Sequence, residues 1–190
     1  MMFTCEIGRG LLLRLLQPAD SKALYRTVDR DRAALQPWLP WVSQIGTAAD
    51  MKDYVRFECK RYKSGEAMSA VIIEGAEALG LISFQELDFR HRKASLGYWL
   101  ESSRQGQGIM TAAAAGLLQF GFATLDLNRM EIRARTDNVR SRAVAERLGF
   151  TQEGVLREEE CLETAGELEY RDHAVYGLLA HEWKRGQDIG

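Results

Sequence analysis

Two glycines one residue apart, where an apolar run gives way to an alanine-rich segment, are the residues of this chain best suited to hold a charged ligand. They lie in residues 96–111, LGYWLESSRQGQGIMT. Gly106 and Gly108 allow the backbone to come close to a ligand. A helix starting just after them leaves N–H groups of Gly106, Gln107, Gly108, Ile109, Met110 and Thr111 free to face an anion, with Gln105 at the entrance. A pyrophosphate is the natural occupant. Two familiar phosphate loops fit poorly. A P-loop needs Lys and then Ser or Thr after its last glycine, where this chain has Ile109 and Met110. A dinucleotide fold needs a third small residue where Thr111 stands, within repeated βαβ units that the surroundings do not show.

Two further groups carry chemistry. Asn138 and Ser141 stand three residues apart, so both project from one side of the first turn of a predicted helix. Both types are common at helix starts, and a plain cap is the competing reading for Asn138. Glu158, Glu159 and Glu160 form an acidic run on a predicted strand, where a period of two puts Glu158 and Glu160 on one face and Glu159 on the other. A solvated acidic edge accounts for the run as a whole. For a single member, crowding by two other carboxylates raises proton affinity, which suits a general base.

The elements that must position these groups follow from pattern and punctuation. A first strand is predicted over residues 10–17, and Pro18-Ala19-Asp20-Ser21 opens a helix over 23–34. Pro37 and Pro40 break it. Between and beside them, Trp38 and Trp41 read either as core or dimer-packing residues or as the lip of a cleft. Thr47 caps a helix running to Lys63, with Met51, Tyr54, Val55 and Glu58 on one face and Gly65 closing it. An antiparallel meander is predicted over 67–74, 78–88 and 93–101. The helix over 108–125 turns Ile109, Ala112, Ala113, Leu117, Phe120 and Ala123 toward the sheet. A strand over 129–135, a helix over 139–148 ended by Gly149, and strands over 150–161 and 167–180 joined by a turn containing Gly166 complete the order βααβββαβαββ.

The glycine bend resembles motif A of the GNAT acetyltransferases, Gln/Arg-x-x-Gly-x-Gly/Ala, read as Gln105-Gly106-Gln107-Gly108-Ile109-Met110, with Met110 in place of the usual small last residue. With GYWL ahead of it and Met110 at its end, the segment is similar to the RimJ/RimL branch, which acetylates N-terminal residues of ribosomal proteins. The resemblance continues through Asp137-Asn138, Ser141, Val144 and Gly149-Phe150 to Glu153-Gly154, and is most specific over residues 94–176. It implies one α/β (α+β) domain over 1–190 with the GNAT fold, a mostly antiparallel central sheet of about seven strands flanked by four helices. It implies acetyl-CoA as co-substrate. The pantetheine arm is expected between the strand over 93–101 and that over 129–135, pairing with backbone groups around Trp99 and Leu100, one of whose N–H groups polarises the thioester carbonyl. The same resemblance assigns Ser141 as proton donor to the thiolate, with a water or a tyrosine as substitutes, and Glu160 as the base for the amine. It also implies a homodimer.

Energetics bear on the acceptor. An α-amine of pKa about 8 needs about 1 kcal/mol to be neutral at pH 7, whereas a lysine near 10.4 needs about 4.5 kcal/mol. One loosely held carboxylate suffices for the first. The acidic strand attracts a cationic amino terminus, but equally a polyamine or an aminoglycoside. The expected activity is direct transfer in a ternary complex to the N-terminal amine of a ribosomal protein. The alternatives are a small-molecule amine as acceptor and a non-catalytic acetyl-CoA-binding module.

Composition narrows the classes. At 190 residues and 46% apolar the chain suits one domain with a full core. A net charge of −2 argues against direct nucleic-acid binding, and the basic clusters at 60–63, 90–93 and 133–147 are interrupted, the last lying beside the proposed phosphate site. Cys5, Cys59 and Cys161 lack disulfide or zinc spacing and fall outside the motif positions, so no metal and no acylated cysteine is expected. His91, His173 and His181 are scattered and read as surface or core residues. The apolar run over 11–16 is too short for a signal or a membrane span, and a cytoplasmic location follows as the expectation.

Overall fold

The computed structural model describes residues 3–164 and 167–187. The expected turn at Gly166 lies outside them. Strands β1 (Thr4–Glu6) and β2 (Leu11–Leu15) form a hairpin, followed by helices α1 (Ser21–Arg30), α2 (Arg32–Leu35) and α3 (Ala48–Lys63). Then come β3 (Met68–Glu74), β4 (Glu77–Asp88), β5 (Lys93–Leu100), α4 (Ile109–Ala123), β6 (Arg129–Arg135), α5 (Val139–Arg147), β7 (Thr151–Thr164), β8 (Glu167–Leu179) and α6 (Ala180–Gln187). The sheet has the order β1-β2-β3-β4-β5-β6-β8-β7, antiparallel throughout the described pairings except that β5 runs parallel to β6. Beyond the expected order it adds β1, a separate α2 and α6.

Two compact units make up the chain, residues 1–87 with 97–119, and residues 88–96 with 120–190. In the first, α3 begins where Thr47 accepts a hydrogen bond from the Asp50 N–H at 3.3 Å while Asp50 accepts from the Thr47 N–H at 2.7 Å, a reciprocal cap. Gly65 ends this helix region with φ +76°. Leu24 and Val28 of α1 and Met51 and Val55 of α3 pack with Val71 and Leu81 of the sheet. Met68 to Ile72 of β3 are all buried, so this strand is covered on both faces. Trp41 joins the same core, stacked on Tyr54 with ring centroids 4.8 Å apart and tilted against Trp99 at 6.1 Å, while Trp38 is exposed. Burial pushes the Tyr54 hydroxyl well above its ordinary pKa.

Helix α4 departs from its predicted face. Ile109, Met110, Ala113, Ala114, Leu117, Leu118 and Phe122 are buried, whereas Ala112 and Phe120 are half-buried and Ala123 is exposed. The stripe is turned by about one position, because small residues all round the helix let it settle wherever close approach is best. Gly116 supplies that approach: a Cβ there would sit 3.1 Å from Cys5 Sγ. In the second unit, β6 pairs with β8 from Arg129–Leu179 to Arg135–His173, and β8 carries β7 as the edge strand. Met130, Ile132, Val144, Ala145, Phe150 and Tyr176 are buried there.

Candidate active site

In the first unit a short 3-10 turn, Ser102–Arg104, joins β5 to the glycine bend. Gly106 and Gly108 both take the left-handed conformation, with φ +73° and +78°. A Cβ at either would meet nothing within 4 Å, so glycine is needed here for the backbone angle rather than for clearance. The bend is fastened from outside through its carbonyl groups. Gln105 Nε2 donates to the Leu100 carbonyl at 2.9 Å, Gln107 Nε2 to the Ser103 carbonyl at 3.2 Å, and Arg9 to the Gln107 carbonyl at 2.8 Å. Ser102 N–H donates to Asp31 at 2.7 Å, and Arg104 forms a two-point ion pair with Glu74, whose carboxyl it holds below the usual range.

The amides are sorted the other way. The N–H groups of Gly106, Gln107, Gly108, Ile109 and Met110 have no acceptor among the described residues, while Ala112 N–H is the first to bond back, to the Gly108 carbonyl at 3.0 Å. Ile109 and Met110 bury their side chains while their backbone N–H groups stay in the first turn beside the bend. Thr111 is half-buried and its N–H lies in the same first turn. A row of donors at a helix start is a receptor for phosphate oxygens.

Further up β5, strand alternation separates Trp99 from Leu100. Glu101 N–H donates to the Leu79 carbonyl of β4 at 2.9 Å, and the Trp99 carbonyl lies so near Gly80 that a Cβ there would approach it to 2.2 Å. The backbone of Leu100 therefore points to the opposite edge. With its carbonyl taken by Gln105, its N–H is the donor there. The described pairing of β5 with β6 runs from Lys93–Arg129 to Leu96–Ile132, although β5 continues to Leu100 and β6 to Arg135. Trp99 itself is 7% exposed, and its indole N–H has no partner among the described residues.

In the second unit, Asn138 is the N-cap of α5, its Oδ1 accepting from the Ser141 N–H at 3.1 Å. The capping reading thus holds for Asn138, and it fixes the residue that carries the hydroxyl. Arg142 anchors the same turn, donating to the Thr136 carbonyl and to the buried Tyr176 hydroxyl, each at 2.9 Å, and that hydroxyl donates to Glu146 at 3.0 Å. Asn138→Ala is expected to cost about 1 kcal/mol of stability. Chemical denaturation checks this, and a loss within error of zero would show that the cap adds nothing.

The acidic run corrects the strand prediction. Leu156 pairs with His173 and Glu160 with Arg171, so three residues of β7 oppose one of β8, and Glu158 sits at φ +55° with its N–H donating to Asp172 at 2.8 Å. This bulge breaks the period of two that was to put Glu158 beside Glu160. Glu158 and Glu159 are exposed and line a cavity of about 640 Å³ with Val155, Leu156, Arg157 and Asp172. Glu160 is only 21% exposed and is placed instead beside two nitrogen groups, His173 Nε2 at 3.4 Å and Arg135 Nε at 3.9 Å. Arg135 is itself committed to Asp137 by two hydrogen bonds of 3.1 and 2.6 Å, which hold the Asp137 carboxyl below its usual range. His173, a scattered histidine by sequence, thus lies beside Glu160. Only the register of β8 reveals it.

Comparison with known proteins decides the family. The acetyltransferase (GNAT) domain model matches residues 10–151. The chain belongs to the GNAT acetyltransferase family. Its cofactor is acetyl-CoA and it is an acyltransferase. It is 34% identical over 184 residues, 96% of this chain and 98% of the relative, to YdaF of Bacillus subtilis (strain 168), whose name assigns it provisionally to ribosomal N-acetylation. It is 32% identical to the ribosomal-protein-serine acetyltransferase of Escherichia coli (strain K12), over 94% of this chain and 98% of that one. A solved structure of RimL, a ribosomal L7/L12 alpha-N-protein acetyltransferase in complex with coenzyme A, matches with a TM-score of 0.83 and 29% identity, covering 95% of this chain and 99% of that chain. Among the described residues, Cys5, Cys59 and Cys161 are free thiols, no group of three or more His, Cys, Asp or Glu could hold a metal, and no helix is long and apolar enough to cross a membrane.

Proposed function

We propose that this GNAT enzyme transfers the acetyl group of acetyl-CoA to the N-terminal α-amine of a ribosomal protein, by direct attack within a ternary complex and within a single catalytic domain. The observation that carries the donor side is the run of amides from Gly106 to Met110 without acceptors among the described residues, at the position of the family's pyrophosphate loop. In this reading the diphosphate of the cofactor takes those N–H groups, with Gln105 and Thr111 flanking it. Pantetheine extends along the edge of β5, and the Leu100 N–H polarises the thioester carbonyl. Glu160 takes one proton from the acceptor ammonium and the neutral nitrogen attacks the acetyl carbon; as the C–S bond breaks, Ser141 gives its hydroxyl proton to the departing thiolate and regains one from the nitrogen, which becomes the amide. Asn138 positions Ser141 through the cap.

The acceptor reading is supported by the relatives named for ribosomal acetylation, which match nearly end to end. Purified enzyme with acetyl-CoA is expected to acetylate short N-terminal peptides of ribosomal proteins with kcat/KM at least 10-fold above that for spermidine or an aminoglycoside. Intact-mass comparison of ribosomal proteins from cells with and without the enzyme then names the target by one missing acetyl group. Equal or greater preference for free small amines would replace the ribosomal reading with that of a small-molecule acetyltransferase. Saturable acetyl-CoA binding without turnover on any amine would leave a binding module.

A further inference from the structure

We propose that His173 is a positioning residue for the reaction, the group to which Glu160 hands the proton it takes from the acceptor amine. The inference rests on the reading of Glu160 as the base and deepens it. A base that is to work again each cycle must lose its proton, and a carboxylic acid in a strand needs a neighbour or a water path to lose it to. Glu160 Oε2 lies 3.4 Å from His173 Nε2, within a short adjustment of a hydrogen bond, and both side chains are about one-fifth exposed. The imidazole therefore touches the carboxylate on one side and solvent on the other.

This neighbour is produced by the bulge. In an unbroken β7 ladder, residue 158 would oppose Arg171 and Glu160 would oppose Glu169; the observed register puts Glu160 opposite Arg171. With Leu156 opposite His173, residues 157–159 arch away, and Glu160 returns to the strand with its carboxylate toward the imidazole. On the other flank, Arg135 is opposite His173 in the β6–β8 ladder. The charged groups beside the pair are Arg135, the last residue of β6, with Asp137 just after it, and Glu169 and Arg171, which share the His173 face of β8; Asp172 alternates to the other face. Arg135 and Arg171 are each tied to carboxylates, Asp137 and Glu169, and Asp172 accepts from the Glu158 N–H. Arginine stays protonated at any working pH and cannot accept a proton. His173 is the one neighbour of Glu160 among these that can carry a proton away near neutrality.

The step balances. The N–H bond of the acceptor ammonium breaks as an O–H bond forms at Glu160; that O–H bond then breaks as an N–H bond forms at His173 Nε2, and the imidazolium releases its proton to water. The net charge of the pair is restored.

The test compares His173→Gln, His173→Ala and Glu160→Gln at saturating acetyl-CoA. Glutamine can still donate a hydrogen bond to Glu160 but cannot carry the proton. His173→Gln and His173→Ala are each expected to lower kcat about 10-fold with KM for acetyl-CoA unchanged, and added imidazole should restore kcat of His173→Ala in a saturable manner, after subtraction of a control without acceptor. Full activity in His173→Gln, or no rescue by imidazole, overturns the relay; if Glu160→Gln is then still crippled, Glu160 as base survives without it. A fully active Glu160→Gln overturns the base itself. Should the alanine variant misfold, as read by its melting curve, the glutamine variant alone decides.

Discussion

Gly108→Val is expected to lower kcat/KM for acetyl-CoA by about 100-fold or more, nearly all of it in KM for the thioester. The cause is the backbone. Gly108 sits at φ +78°, and a Cβ there meets nothing within 4 Å, so valine suffers no clash with neighbours but is forced into a left-handed conformation that costs on the order of 1–2 kcal/mol even for ordinary residues. The chain relieves that strain by rotating the adjoining peptides, which turns the N–H groups of Gly108 and Ile109 away from the bend. Each hydrogen bond to a charged group is worth about 1.5–3 kcal/mol, so two lost bonds correspond to roughly 100-fold or more in affinity. Calorimetric titration with coenzyme A checks it, with the melting temperature as a control for folding. An unchanged dissociation constant in a folded variant would mean that the bend does not hold the diphosphate.

The second large effect is expected at Glu160. Glu160→Gln keeps the size and the hydrogen-bonding reach of the side chain and removes its ability to take a proton, so kcat should fall about 100- to 1,000-fold, in the range of general-base catalysis. KM for acetyl-CoA should stay within about twofold, because the residue lies on β7 and the donor amides on the β5–α4 bend. The pH profile gives a sharper signature. Without the base, only amine that arrives neutral can react, so the residual rate should climb about 10-fold per pH unit up to the acceptor's own pKa of about 8 and then level. A variant with wild-type rates at every pH would remove Glu160 from the mechanism.

Much of this architecture was legible from local chemistry. Thr47 announced the start of α3, Gly65 and Gly149 the ends of helical segments, and the glycine bend the start of α4, because caps and left-handed turns are decided by one or two residues. The sequence pattern bounds β6 at the same residues as the structure, Arg129–Arg135. What escaped notice lacked a local signal. The three residues of β1 are too few to show a period, and α6 follows β8 without a break. The buried stripe of α4 could not be phased from alanines that look alike on every side. The bulge at 157–159 was hidden most thoroughly: Glu158 adopts a positive φ without glycine or asparagine to mark it, held by Asp172 across the ladder. The partnership of Glu160 and His173 depends on that long-range register, so no spacing rule reaches it.

The fastening of the glycine bend by Arg9 links segments 98 positions apart. The hairpin tip at Gly8 to Gly10 lies at the border of the segment matched by the family model, which starts at residue 10, yet through one guanidinium it steadies the loop assigned to the diphosphate. The amino-terminal hairpin is in this sense a brace for the glycine bend. If the bend holds the diphosphate as proposed, substitution of Arg9 is expected to register as altered coenzyme affinity.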